Sequence, residues 1–252
     1  MNWMFYLKTT ETCNLNCKHC FTSGTNGPKV YWNPDKTIKW LKNFRKYNFQ
    51  KHDTAHLELH GGEPFLVPVS EMQYVYDATK NLWEHQSMGI TSNLTFKLKQ
   101  EHIDFIKGPL KNRCGTSWDP NIRFANEKQA NLWRKNVETL ISEGVDIKLF
   151  ISVTKDTIRI EPIELLKWVR DLGVKESVLG RICRKSKIEA GAGYDIDSFN
   201  NAEIGMDFDR FIEVKSTTGD YPVFYWSENE REKEECGEHK NFAKIQQTSD
   251  AQ

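Results

Sequence analysis

The chain has 252 residues, with 35 Lys+Arg against 35 Asp+Glu, so its formal net charge is zero. That balance argues against a protein built mainly to coat nucleic acid, while 38% apolar and 12% aromatic residues supply enough material for a sizeable core. The opening MNWMFYLKTTETC has no basic n-region, long apolar run or small-residue cleavage site, and no apolar run is long enough to span a bilayer, so a cytoplasmic protein without membrane contact is expected.

Strand-like and helical runs alternate along the chain. MFYLKTT, from Met4, reads as a first strand and leads directly into a cysteine-rich stretch. NPDKTIKWLKNFRKYN has a start signal at Asn33-Pro34 and places Ile38, Leu41 and Phe44 on one helical face. AHLELHGGEP is a short strand ending in a Gly-Gly turn, and PVSEMQYVYDATKNLWEH is a helix with Ser70 as its cap. GITSNLT is the third strand and KQEHIDFIKG a helix closed by Gly108. RCGTSWDP is the fourth strand. It is followed by the helix NEKQANLWRKNVETLISEG, which buries Leu132, Val137, Leu140 and Ile141. VDIKLFISVT is a strand, EPIELLKWVRDLG a helix, ESVLGRICR a sixth strand and DFDRFIEVKST a shorter helix.

Repeated βα units imply a parallel sheet with right-handed crossovers. The expected fold is α/β: a partial TIM barrel of (β/α)6 form over residues 1–220. Residues 221–252 break the rhythm and read as a C-terminal extension that covers the barrel.

The stretch TCNLNCKHC holds three of the six cysteines, Cys13, Cys17 and Cys20. Their odd number and a cytosolic setting speak against disulfides. A structural zinc site needs four ligands; His19 or His60 is available, but the spacing is not a pair of CxxC knuckles. An iron–sulfur cluster held by three thiolates leaves one iron with an open position, where substrate chemistry happens. The loop after the first strand lies at the C-terminal mouth of a parallel barrel, where barrel active sites are built.

CNLNCKHC after a first strand resembles the CxxxCxxC signature of the radical S-adenosylmethionine superfamily. HGGEP at residues 60–64 resembles its GGE motif. TSN at 91–93, TSWDPNIR at 116–123 and ISVT at 151–154 sit at the polar ends of the next three strands, and the likeness covers residues 1–185. It implies that a 4Fe–4S cluster on Cys13, Cys17 and Cys20 binds the methionine end of S-adenosylmethionine. Reductive cleavage then yields a 5′-deoxyadenosyl radical that abstracts a substrate hydrogen, the cofactor supplying the radical chemistry and the protein the orientation. The resemblance also implies cofactor contacts from His19 near adenine, Gly61, Gly62, Glu63 and Pro64. Further contacts fall to Ser92, Asn93, Ser117, Asp119 and Ser152, and to Arg181 at the methionine carboxylate. It implies an electron donor such as flavodoxin or ferredoxin as partner. No motif identifies a catalytic acid, base or second radical relay.

CGEHKNFAKI at Cys236 resembles the opening of the cysteine-rich extension of a peptide-modifying, SPASM-type branch, without the further cysteines of a complete auxiliary cluster. A ribosomal peptide is therefore the first expected substrate, and a nucleoside or modified base the second. An iron–sulfur electron carrier and a zinc-binding module are the alternatives of another class. Cys114 and Cys183, isolated in strands, read as small core residues.

Overall fold

The computed structural model describes residues 2–17, 20, 24–27, 29–48, 52–119, 122–153, 157, 160–181 and 223–225. His19, Cys183, Cys236 and the expected helix at 207–217 lie outside the described residues.

Strand β1 (Asn2–Thr10) is followed by α1 (Pro34–Tyr47), β2 (Thr54–Gly61), α2 (Val69–Thr79), β3 (His85–Ile90) and α3 (Gln100–Lys107). Then come β4 (Arg113–Trp118), α4 (Glu127–Ser142), β5 (Asp146–Val153), α5 (Pro162–Asp171), β6 (Glu176–Arg181) and the short β7 (Val223–Tyr225). Every strand pairing is parallel. The strands form two sheets, β1-β2-β3 and β4-β5-β6-β7. A parallel bridge, Thr91 to Gly115, joins them, reinforced by the Ser92 N–H donating to the Gly115 carbonyl at 2.9 Å. This is the expected partial barrel, without closure among the described residues.

Alternation decides which face meets the helices. Phe5 and Leu7 of β1, Ala55, Leu57 and Leu59 of β2, and Met88 and Ile90 of β3 are buried in one core with Ile38 and Leu41 of α1 and Met72 and Val75 of α2. Phe5 meets Trp40 and Phe44 edge-on, at centroid distances of 5.8 and 5.0 Å. Such pairs add to burial through their quadrupoles. Tyr6 of β1 and His56, Glu58 and His60 of β2 alternate with these on the other face of the sheet.

Local signals explain the helix ends. Asn33 caps α1 by accepting from the Lys36 N–H at 3.0 Å, and Asn126 caps α4 by accepting from Gln129 N–H at 3.1 Å. Each satisfies a donor the first turn leaves without a partner. In α4 the buried residues are Trp133, Asn136, Val137 and Leu140. Leu132 and Ile141, expected on that stripe, are half-buried at its edges.

Three expectations are corrected. Ser70 is not the cap of α2: the helix starts at Val69, Pro68 holds the cap position and no side chain caps it. α2 ends at Thr79 rather than running on to His85, because the Leu82 N–H turns back to the Thr79 carbonyl. β3 is His85–Ile90, and Thr91–Thr95 has left the strand. In that segment the side chains of Ser92 and Asn93 accept from the N–H groups of Leu94 and Thr95. Short polar side chains offer the backbone an alternative to the ladder.

Candidate functional site

The cysteine loop starts where β1 ends and is fastened at its root by the Gly-Gly turn after β2. The Gly62 N–H donates to the Thr10 carbonyl at 2.8 Å and the Glu63 N–H to the Thr12 carbonyl at 2.9 Å. Both glycines are required by this contact. A Cβ on Gly61, whose φ is +137°, would lie 2.1 Å from the Thr10 oxygen, and one on Gly62 would lie 2.1 Å from the Thr12 oxygen. Glycine alone permits such an approach.

Glu63 is fully buried and directs its carboxylate inward. Oε1 accepts from the Phe65 N–H at 3.0 Å and the Ser92 hydroxyl at 2.8 Å, and Oε2 accepts from the Asn93 N–H at 2.6 Å. Burial pushes its pKa up to about 7, against the three hydrogen bonds, which favour the charged form. The Asn93 amide then reaches the cysteine loop, donating to Cys13 Sγ at 3.5 Å and Asn14 Oδ1 at 2.8 Å. Asn14 in turn donates to the Thr95 carbonyl at 2.6 Å. Cys13, Glu63, Ser92 and Asn93, scattered in sequence, thus form one connected group. Pro64 is buried and opens the one-turn helix Pro64–Leu66.

The three thiols face one another's charge. Burial raises the pKa of Cys13, with Glu63 and Cys20 adding to the rise and the Leu15 and Asn93 donors opposing it. Burial also raises Cys17, to about 11, with Cys20, Cys13 and Asp119 adding to the rise and Arg123 opposing it. Three thiolates together are therefore disfavoured without a cationic group among them. A 4Fe–4S cluster supplies that charge, and N–H donors to sulfur, here from Leu15 at 3.4 Å and Asn93, are the contacts that tune such clusters. The donor set fits the group. Among the described residues no three His, Cys, Asp or Glu side chains gather around one point as a single metal ion requires. The remaining described cysteine, Cys114, is buried within β4.

Asp119, just past β4, is fully buried and forms an ion pair with Arg123, its Oδ2 accepting from Nε at 2.6 Å. The motif reading singled out Asp119 with a following Arg, and that residue, Arg123, with its side chain 13% exposed, opposes the rise of the Cys17 pKa. Ser117 is half-buried in β4. Ser152 and Arg181 stand at the C-terminal ends of β5 and β6, where the ladder pairs Ser152 with Gly180 and Val153 with Arg181. A groove of about 540 Å³ lies at the opposite, N-terminal end of β1–β3, lined among others by Asn2, Trp3, Thr54 and Gln86.

The chain belongs to the 4Fe-4S single cluster domain family, whose model matches residues 4–136, and so to the radical S-adenosylmethionine superfamily. A second model, Protein NO VEIN, C-terminal, matches residues 166–242. The chain is similar in fold to anSMEcpe with bound AdoMet and Cp18Cys peptide, with TM-score 0.67 and 14% identity over 88% of this chain and 63% of that one. Streptococcus suis SuiB bound to precursor peptide SuiA gives TM-score 0.59 and 11% identity over 97% of this chain and 51% of that one. In sequence, an S-adenosylmethionine-dependent nucleotide dehydratase of Fibrobacter sp. (strain UWH6) is 32% identical over 68 residues, 26% of this chain and 19% of that protein. The chain spans less than two thirds of the length of each of these relatives.

Proposed function

We propose that this protein is a radical S-adenosylmethionine enzyme that modifies a peptide. The observation that carries the enzyme reading is the fastening of the three-cysteine loop, through Cys13 and Asn14, to the Glu63–Ser92–Asn93 group. The cofactor pair supplies one-electron chemistry: reductive cleavage of S-adenosylmethionine and hydrogen-atom abstraction by the 5′-deoxyadenosyl radical. The protein's own residues hold and orient. Cys13, Cys17 and Cys20 ligate a 4Fe–4S cluster, and Leu15 and Asn93 donate to the Cys13 sulfur. Gly61 and Gly62 bring β2 against the cluster loop. Glu63 acts chiefly by fixing Ser92 and Asn93. Ser117, Asp119, Ser152 and Arg181 border the cofactor from β4–β6, with His19 contributing from the cysteine loop. A flavodoxin or ferredoxin supplies the electron.

The peptide reading is supported by the fold shared with anSMEcpe and SuiB, both solved with peptides. A second reading, a nucleotide substrate, is supported by the similarity to the Fibrobacter dehydratase. The test is anaerobic reconstitution with iron and sulfide, then incubation with S-adenosylmethionine and dithionite. Formation of 5′-deoxyadenosine is expected. Its absence from a preparation holding about four irons per chain overturns the enzyme assignment. Screening peptides encoded beside the gene against the nucleoside triphosphates then separates the two substrates.

A further inference from the structure

Residues 29–46 carry six basic side chains and one acidic, in a chain of net charge zero. Two of the six are engaged: Arg45 is turned to the buried Asp53 at 3.8 Å, and Lys46 lies over the Tyr47 ring at 5.3 Å. Lys29, Lys36, Lys39 and Lys42 are exposed, and none of them is in an ion pair among the described residues. Folding does not ask for this arrangement. Lys36 stands in the first turn of α1, where the helix dipole disfavours a cation, and like charges one turn apart repel.

Exposed apolar side chains collect beside these lysines. Val30, Tyr31 and Tyr74 are 50, 52 and 51% exposed. They are three of the five large hydrophobics exposed among the described residues, and all three gather at one end of α1. The Trp32 indole donates to Glu71 at 3.0 Å, and the Tyr74 hydroxyl donates to Asp35, the one acid of α1, at 2.9 Å. Those bonds hold Tyr74 of α2 against the first turn of α1, just beyond Tyr31. An apolar centre ringed by charge of one sign has the make-up of a docking surface.

The patch stands at the root of the cysteine loop. The Val30 carbonyl accepts from the Glu11 N–H at 3.0 Å and the Thr10 hydroxyl at 2.6 Å, and the Trp32 N–H donates to the Thr9 carbonyl at 2.8 Å. Tyr31 is thereby paired with Thr10. Cys13 follows Thr10 by three residues, at most about 11 Å of chain. Earlier in the same return, Gly24 backs onto the loop so closely that a Cβ there would lie 2.4 Å from the Leu15 oxygen. The Gly61–Gly62 turn occupies another side of the loop's root. Electron transfer falls off steeply with distance, so a donor to a cluster on Cys13, Cys17 and Cys20 is best placed on this outer side.

We propose that the exposed side of residues 29–42 is the docking surface for a small acidic flavoprotein that reduces the cluster. Lys29, Lys36, Lys39 and Lys42 steer the carrier, and Val30 and Tyr31 meet its flavin. An isoalloxazine ends in an apolar dimethylbenzene edge that suits this centre; an iron–sulfur carrier has no such edge. One electron passes from the anionic flavin hydroquinone to the oxidised cluster, leaving the neutral semiquinone, and no proton moves. The proposal rests on the enzyme reading above, which needs a reduced cluster.

The test is calorimetric titration of the reconstituted holoenzyme with oxidised flavodoxin, an acidic carrier of this class. Binding at about 10 μM is expected at about 0.01 M ionic strength, as for a transient redox encounter. It should weaken at least about tenfold at about 0.15 M, as the Debye length falls from about 30 to about 8 Å. Lys36→Glu with Lys39→Glu should weaken low-salt binding at least about tenfold. Lys128→Glu with Lys135→Glu, the same charge change on the exposed side of α4, should leave it unchanged. Tyr31→Ser should weaken binding and keep its salt dependence. Reduction by flavodoxin hydroquinone should slow in step, while dithionite, which needs no docking surface, reduces every variant alike. Iron content reports that the variants remain folded. No binding at low ionic strength, equal weakening by the two double variants, wild-type binding by Tyr31→Ser, or tighter binding of a ferredoxin than of flavodoxin overturns the proposal. Binding is read on oxidised proteins without turnover, so an enzyme that forms no 5′-deoxyadenosine with dithionite refutes the function and leaves this result to stand by itself.

Discussion

The Glu63 carboxylate accepts from the backbone N–H of Asn93 at 2.6 Å, across 30 positions of sequence, in a fully buried setting. This bond makes the GGE turn a brace for the third strand's exit. Replacing Glu63 by Ala leaves the Phe65 and Asn93 N–H groups and the Ser92 hydroxyl without their acceptor. Each buried unsatisfied donor costs about 1–3 kcal/mol, so Glu63→Ala should lower stability by about 3–5 kcal/mol, read as the urea midpoint, and reduce iron loading with it. Unchanged stability would remove Glu63 from this role.

The same carboxyl sets a pH dependence in the apo protein. Its folded pKa, about 7, stands above its ordinary value of 4.5, so between these values the folded chain holds more protons than the unfolded one. The stabilising contribution is fully present below pH 4.5 and is lost as pH rises through 7. The loss should amount to about 3 kcal/mol between those limits, and Glu63→Gln should flatten this part of the stability curve. A wild-type curve that rises over the window contradicts it.

Replacing Cys13, Cys17 and Cys20 together by Ala should abolish iron binding, while Cys114→Ala, within the β4 core, should retain about four irons per chain. Iron and sulfide analysis after reconstitution decides between them. A triple variant that still carries a cluster would place the ligands elsewhere.

Gly61→Ala puts a Cβ 2.1 Å from the Thr10 carbonyl at a φ of +137°. Backbone rather than a flexible side chain must give way, so several kcal/mol of destabilisation are expected. Gly144→Ala, at φ +82° with nothing near its Cβ, meets only the strain of that conformation and should cost about 1–2 kcal/mol. Thermal melts of the two variants give the comparison.

Truncation after Asp220 removes β7, whose Val223–Tyr225 pairs in parallel with Ser177–Leu179 of β6. The β6 edge is then uncovered, and uncovered edges pair with other chains. The truncated protein should self-associate at concentrations where the full chain does not, and lose substrate turnover. A monodisperse truncated protein with normal turnover would make the extension dispensable.

The order of elements was legible because alternation and helical periodicity are local: Phe5 and Leu7, or Ile38 and Leu41, announce their faces within a few residues. The cysteine loop and the Gly-Gly turn were legible as motifs. Their mutual fit was not, since the contact of Gly61 with Thr10 spans 51 positions and depends on the ladder between β1 and β2. β3 itself was read too late because Thr91–Thr95 looks like strand to a propensity scale and is folded by its own side-chain hydrogen bonds.

The bridge from Thr91 to Gly115 makes the barrel wall a pair of panels with a seam between them. Ser92 and Asn93 stand on that seam, bonded to Gly115 on one side and to Glu63 and Cys13 on the other. Anything gripped by both panels acts as a rivet, and its binding free energy becomes cohesion of the wall, by RT ln(1 + concentration/Kd). Amide exchange at Ser92 is a gauge of that cohesion: slow when the rivet is in, and the first in the wall to quicken when it is drawn.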